Sequence, residues 1–143
     1  MTGEQINLVK ASFAKIEPVA EEAAVLFYAK LFDLDPNLRT LFKGGIREQG
    51  LKLMQMLKLA VNSLDSIEEL VPAVRALGAR HAGYGVKDCH YDTVAKALLW
   101  TLERALRADF TAETRTAWTA VYRLLAETMK DGSRQTAETA AVI

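Results

Sequence analysis

The chain has 143 residues, half of them apolar and a quarter charged. That is one domain's length and a globular composition, with enough chain to bury a single core unaided. Its 18 basic and 18 acidic residues give a formal net charge of zero, which argues against a polyanion such as nucleic acid as partner. The only cysteine, Cys89, excludes an intrachain disulfide and a cysteine-based zinc site.

The first residues, Met1 to Asn7, have neither the basic nor the apolar region of a signal peptide. The longest apolar block, Ala23 to Ala29, covers seven residues, far below the ~18 that a membrane helix needs. The expectation is a soluble cytoplasmic protein with no membrane partner.

Helical periodicity runs through most of the chain, and strand alternation has no useful length anywhere. Thr2 and Gln5 have the spacing of a capping box and open a helix with the stripe Ile6, Val9, Phe13, Ile16. Pro18 breaks it and suits the first turn of a second helix, which carries Ala23, Leu26, Phe27 and Leu31 and must stop before Pro36. Asp35-Pro36 reads as an N-cap followed by proline, opening a short turn through Leu38 and Leu41 that Gly44-Gly45 closes. A third helix is predicted from about Arg47 to Leu64.

Ser66 with Glu69 reads as a second capping box, opening the run Ile67, Leu70, Val74, Leu77, His81. Pro72 is expected to divide a short turn from the main helix, and Gly83 and Gly85 to end it. A fifth helix carries Tyr91, Val94, Leu98, Leu102 and Ala105. A last one begins near Thr111 with Trp118, Val121, Tyr122, Leu125 and Met129. The prediction is all-α: six main helices and short turns, a domain over 1–132 and a mobile tail over 133–143 without an apolar stripe.

Polar residues on apolar faces are the informative ones, because an unpaired buried polar group costs about 1–3 kcal/mol. His81 continues the stripe from Ile67 to Leu77. It is either a core histidine bonded to a backbone carbonyl or a metal or haem ligand. No second ligand lies near it at zinc spacing, and His90 stands at a helix start, so an axial haem ligand suits it better than zinc. Gln49 shares a face with Leu53 and Leu57 and is, taken alone, a solvated first-turn residue. Tyr28, beside Phe27, is an ordinary core-edge tyrosine unless its hydroxyl has a partner. The glycine pairs match no phosphate loop and no nucleophile motif is present, so no catalytic residue is assigned.

Leu41-Phe42 after a Pro-initiated turn, then Gln49 and Leu53, then Leu77-Gly78-Ala79-Arg80-His81, then Trp118 and Tyr122, together resemble a globin. The likeness covers about residues 4 to 130. The runs 26–32 and 79–86 are similar to single-domain bacterial haemoglobins of the flavohaemoglobin and neuroglobin-like lineage, those of thermoacidophilic methane-oxidising bacteria among them. The resemblance implies the globin fold, with helices crossing at about 50° around haem b. It implies His81 as proximal iron ligand, with its other ring nitrogen on the Leu77 carbonyl. It implies Tyr28, Gln49 and Leu53 as distal residues and Phe42 on the haem face. Lys52 and Arg80 are implied at the propionates, and Tyr84, Val86, Tyr91, Val94 and Tyr122 along the pocket.

Two departures matter. Gln49 stands where animal oxygen carriers have a distal histidine, which argues against a bis-histidine iron. Ser133 stands where flavohaemoglobins place a glutamate near the proximal histidine, and the length leaves no room for their reductase domain. The expected function is reversible O₂ binding for storage, delivery or scavenging, with NO and CO as further ligands. The alternative is an enzyme, a nitric oxide dioxygenase served by a separate electron-donor reductase.

Overall fold

Thr2 caps α1 (Gly3–Ile16) as its spacing predicts. The Gln5 amide donates to the Thr2 hydroxyl and the Thr2 amide to the Gln5 side chain, both at 3.1 Å. The computed structural model describes residues 1–42 and 44–142, with side chains described as far as 134. A 3₁₀ turn at Glu17–Val19 carries Pro18 and leads into α2 (Ala20–Leu34). The Asp35 carboxylate accepts from the Asn37 amide at 3.2 Å and opens the 3₁₀ turn Pro36–Leu41. Then follow α3 (Ile46–Asn62), α4 (Ile67–Gly83), α5 (Asp88–Leu106) and α6 (Ala112–Val142). The described residues thus form the six helices expected, with no strand among them.

Two local expectations fail. Ser66 does not cap α4, because the 3₁₀ turn Leu64–Ser66 runs straight into the helix. That leaves Ser66 at φ −135°, ψ 45°, where Thr2 has the extended backbone (φ −86°, ψ 159°) that capping needs. Pro72 does not divide α4 either; the helix passes through it. Pro72 and Glu68 are both exposed, so the carbonyl deprived of a donor by proline faces water. The expected tail falls mostly on residues whose side chains lie outside those described; α6 itself is described to Val142.

The core is built mainly by α1, α2, α5 and α6, joined by Leu38, Val61 and Leu64. Val9, Phe13, Phe27, Leu31, Leu102, Trp118 and Val121 are among its buried members. Trp118 is fully buried and its indole nitrogen donates to the Ser12 hydroxyl at 2.8 Å, which donates in turn to the Leu8 carbonyl at 2.7 Å. A buried aromatic with a polar edge is thereby satisfied and locks α1 to α6.

α4 meets α6 almost backbone to backbone. A Cβ built on Gly78 would lie 2.0 Å from the Met129 carbonyl oxygen, and one on Gly132 would lie 2.0 Å from that of Arg75. α3 packs on α1 and α2 and α4 on α6, with at most a glancing contact between α3 and α4 among the described residues. The candidate site residues come from these two helices and from α2.

Candidate functional site

His81 lies in the last turn of α4, half-buried. Its Nδ1 is 2.8 Å from the Leu77 carbonyl oxygen, one turn earlier. A carbonyl only accepts, so Nδ1 carries the proton and Nε2 is left with a free lone pair. Burial pushes the imidazole below the usual histidine value; the Leu77 carbonyl opposes this and the Arg80 charge adds to it. The ring is therefore neutral, the state in which imidazole ligates metals.

The chain stops cleanly after this turn. Gly85 has φ +93°, a conformation that disfavours side chains. It lets the Val86 amide donate to the His81 carbonyl at 3.0 Å and the Gly85 amide to that of Ala82 at 3.1 Å. This is the Schellman pattern, and it folds Tyr84 and Val86 back beside His81. Tyr84 stands exposed, its ring centroid 6.1 Å from that of His81.

Tyr28 comes from the buried face of α2, 4% exposed. Its ring meets Phe27 and Phe42 edge-on at 5.0 and 5.5 Å and stacks on Phe32 at 6.0 Å. Its hydroxyl donates to the main-chain carbonyl of Gln49, in the first turn of α3, at 3.4 Å. Burial pushes this phenol up to about 12, and Gln49 beside it works against that rise. It is a protonated donor at any physiological pH. Gln49 and Leu53 are half-buried, as are Leu57 on the next turn of α3, Phe42, and Val94 on α5. All these apolar side chains pack on the core with one side left open.

Behind them Leu57, Val61, Leu98, Trp118 and Leu125 line a narrow apolar cleft of about 10 Å³. These leucines were read from the sequence as helix stripes only; the i, i+4 step from Leu53 to Leu57 is the signal that extends the pocket wall.

Tyr122 on α6 donates its hydroxyl to the Tyr91 carbonyl at 2.6 Å, and burial raises the Tyr122 phenol strongly. Tyr91 is itself buried, its hydroxyl without a partner among the described residues. Ser133 is turned to the Gly78 carbonyl at 3.3 Å. Lys52 and Arg80 are exposed and hold no ion pair among the described residues. His90, half-buried, accepts from the Lys87 amide at 3.0 Å and caps α5, so it is committed to the helix start. Among the described residues no cluster of three or more metal-ligating side chains exists. The structure therefore brings Tyr28, Gln49 and Phe42 together on the α2–α3 side, and sets His81 with Leu77 and Val86 on the α4 side.

The globin family profile matches residues 25–129, which spans every one of these positions. The chain belongs to the globin family.

Among curated relatives, the globin is 27% identical to a flavohemoprotein of Vibrio cholerae over 92% of its own length, but spans only 34% of that relative. It is 27% identical to neuroglobin of Tetraodon nigroviridis, covering 92% of each chain. It is 28% identical to neuroglobin of Chaenocephalus aceratus, covering 88% of each. Among solved structures it is similar to an engineered carbene transferase made from a protein assigned as a nitric oxide dioxygenase of Rhodothermus marinus. That likeness has a TM-score of 0.85 and 27% identity, over 99% of this chain and 97% of the other. A hexacoordinated heme protein of an anhydrobiotic tardigrade shares the fold, with a TM-score of 0.84 at 19% identity, over 94% of this chain and 96% of the other.

Proposed function

We propose that this globin holds haem b through His81 and binds O₂ reversibly and tightly, with NO and CO as competing ligands. The observation that carries the reading is an oriented imidazole at the end of α4, its Nδ1 held by the Leu77 carbonyl, in a globin chain that also sets a buried, protonated phenol on α2 against the first turn of α3. Haem supplies an iron centre that takes up diatomic gases reversibly. The residues present fit it: one ring nitrogen free to ligate, one fixed by Leu77, and apolar surfaces left open on one side for a flat apolar ring. The exposed cations Lys52 and Arg80 suit the carboxylates at its edge.

The roles of the chain's own residues follow. The Leu77 carbonyl holds the His81 tautomer and ring orientation. The Tyr28 hydroxyl and the Gln49 side-chain amide are neutral donors aimed at partial negative charge on a ligand. Phe42, Leu53, Leu57 and Val94 exclude water, so each donor is worth more than the ~1 kcal/mol of an exposed bond. The predicted setting is the cytoplasm; among the described residues no helix is long and apolar enough to cross a membrane.

A second reading is nitric oxide dioxygenation with a separate reductase, favoured by the likeness to the Rhodothermus marinus protein. The proximal side argues for binding first. The partner of His81 Nδ1 is a neutral carbonyl, not a carboxylate, and Ser133 is occupied with Gly78.

The test is the absorption spectrum after adding haemin, then reducing and admitting O₂. A stable oxy spectrum is expected, and a protein that stayed colourless would overturn the reading. Tyr28→Phe is expected to speed O₂ loss on the order of ten- to a hundredfold, the equivalent of one strong hydrogen bond; stopped-flow displacement by CO measures it. Steady consumption of NO beyond one equivalent, with a reductant present, would select the enzyme instead.

A further inference from the structure

α2 and α3 approach each other closely at Ala24 and Gly50, both buried. A Cβ built on Gly50 would lie 2.9 Å from the Ala24 Cβ, where ordinary contact begins at 3.4 Å. Ala24 lies one turn before Tyr28 on α2, and Gly50 follows Gln49 on α3. The point where the helices touch is thus one turn from the Tyr28–Gln49 contact. That contact is 3.4 Å long, near the outer limit of a hydrogen bond. The Arg47–Glu21 ion pair at 3.2 Å spans the same two helices, but both its side chains are exposed, so it is a weak tether. The spacing is set by the absent methyl of Gly50.

The phenol has one proton to give. The Gln49 carbonyl takes part of it, and a gas ligand in the pocket is the rival acceptor. We propose that the Ala24–Gly50 contact is a positioning element: it fixes the Tyr28–Gln49 distance and thereby the share of the Tyr28 hydrogen bond that a bound ligand receives. This rests on the haem and distal-donor reading above. Gly50 has no side chain to reach the ligand; it acts only through Tyr28.

Gly50→Ala cannot be absorbed by a rotating side chain, because the Ala24 Cβ is fixed to its backbone. α3 must lift from α2 by about half an ångström, the gap between 2.9 and 3.4 Å. Transmitted one turn along, this carries the Tyr28–Gln49 contact past hydrogen-bonding range. The proton then belongs wholly to the ligand.

The experiment is a cycle of O₂ dissociation rates. The factor by which Tyr28→Phe speeds O₂ loss is expected to be about three- to tenfold larger in the Gly50→Ala background. It should return to the native factor when Ala24→Gly makes room for the new methyl. Ala24→Gly alone lets the helices close and should lower the factor below native, which keeps the test decisive if Gly50→Ala does not fold.

A second measurement needs no haem. In the apoprotein the titration of the Tyr28 phenol reports its contact with Gln49. Tyr28, identified by difference from Tyr28→Phe, should titrate away from its native position in Gly50→Ala and regain it with Ala24→Gly. If Tyr28→Phe leaves the native O₂ loss unchanged, the distal reading itself fails. If it speeds native O₂ loss by one factor in every background and the titration does not move, the positioning role of Ala24–Gly50 is overturned.

Discussion

Tyr28 shows how burial fixes the protonation state of an ordinary side chain. With the ring enclosed by Phe27, Phe32 and Phe42, a phenolate would have no water to share its charge, so the group stays protonated up to about 12. O₂ dissociation is therefore expected to be flat from neutral pH into the alkaline range. It should quicken only as pH nears about 12, because the phenolate has no proton to donate. The same shift sets the sign for stability. The unfolded phenol ionises near 10 while the folded one does not. The contribution of Tyr28 is thus fully present below about 10 and is lost as pH rises toward the folded value. Dissociation rates across alkaline pH, compared with Tyr28→Phe, check this; a limb centred near 10 would show a hydroxyl open to solvent. None of this was visible at Tyr28 alone in the sequence, where a tyrosine beside a phenylalanine reads as core edge. The resemblance to globins implied its pairing with Gln49, but that its acceptor is the main-chain carbonyl of Gln49 depends on how closely α2 and α3 cross.

Between elements, what the sequence revealed and what it hid divide along one physical line. Apolar stripes and prolines are local signals, so all six helices were legible, as was the Gly85 stop behind His81. The Ser66 cap was misread because its residue types fit, while its backbone is held by the preceding 3₁₀ turn. Pro72 was read as a break because its solvent-facing position in α4 could not be known. Helix approach is non-local, so the glycines that govern it looked like any others. Gly78 of α4 lies against the Met129 backbone of α6, and Gly132 of α6 against the Arg75 backbone of α4, close enough for Cα–H···O contacts. Gly78→Ala has nowhere to place its methyl and must part α4 from α6. A loss of about 1–3 kcal/mol is expected, outweighing the helix-propensity gain of up to about 1 kcal/mol that alanine brings. Chemical denaturation measures the balance, and a variant as stable as the native chain would show that the two helices are not held this close in solution.

Across the whole molecule, the site residues Tyr28, Phe42, Leu53, Leu57 and Val94 belong to or pack on the core, whereas His81 stands apart at the end of α4. The core gathers side chains from α1, α2, α5 and α6, whereas the C-terminal half of α4 buries only Gly78, leaving Leu77 and His81 half-buried. α3 buries Gly50 against α2 and Ala60 and Val61 at its C-terminal end, and leaves Leu53 and Leu57 half-buried. These segments bury less than the core helices, and a ligand seated on them would stabilise them by mass action. Amide exchange in the apoprotein is expected to be slow in α1, α5 and the first half of α6. It should be faster around Leu77–Gly83 and around Gln49–Leu53. Adding haemin should raise the melting temperature and slow exchange at those two segments most. His81→Gly should abolish the slowing around Leu77–Gly83 that haemin produces in the native chain. Slowing spread evenly over all six helices would mean that the group binds without filling the space between α3 and α4.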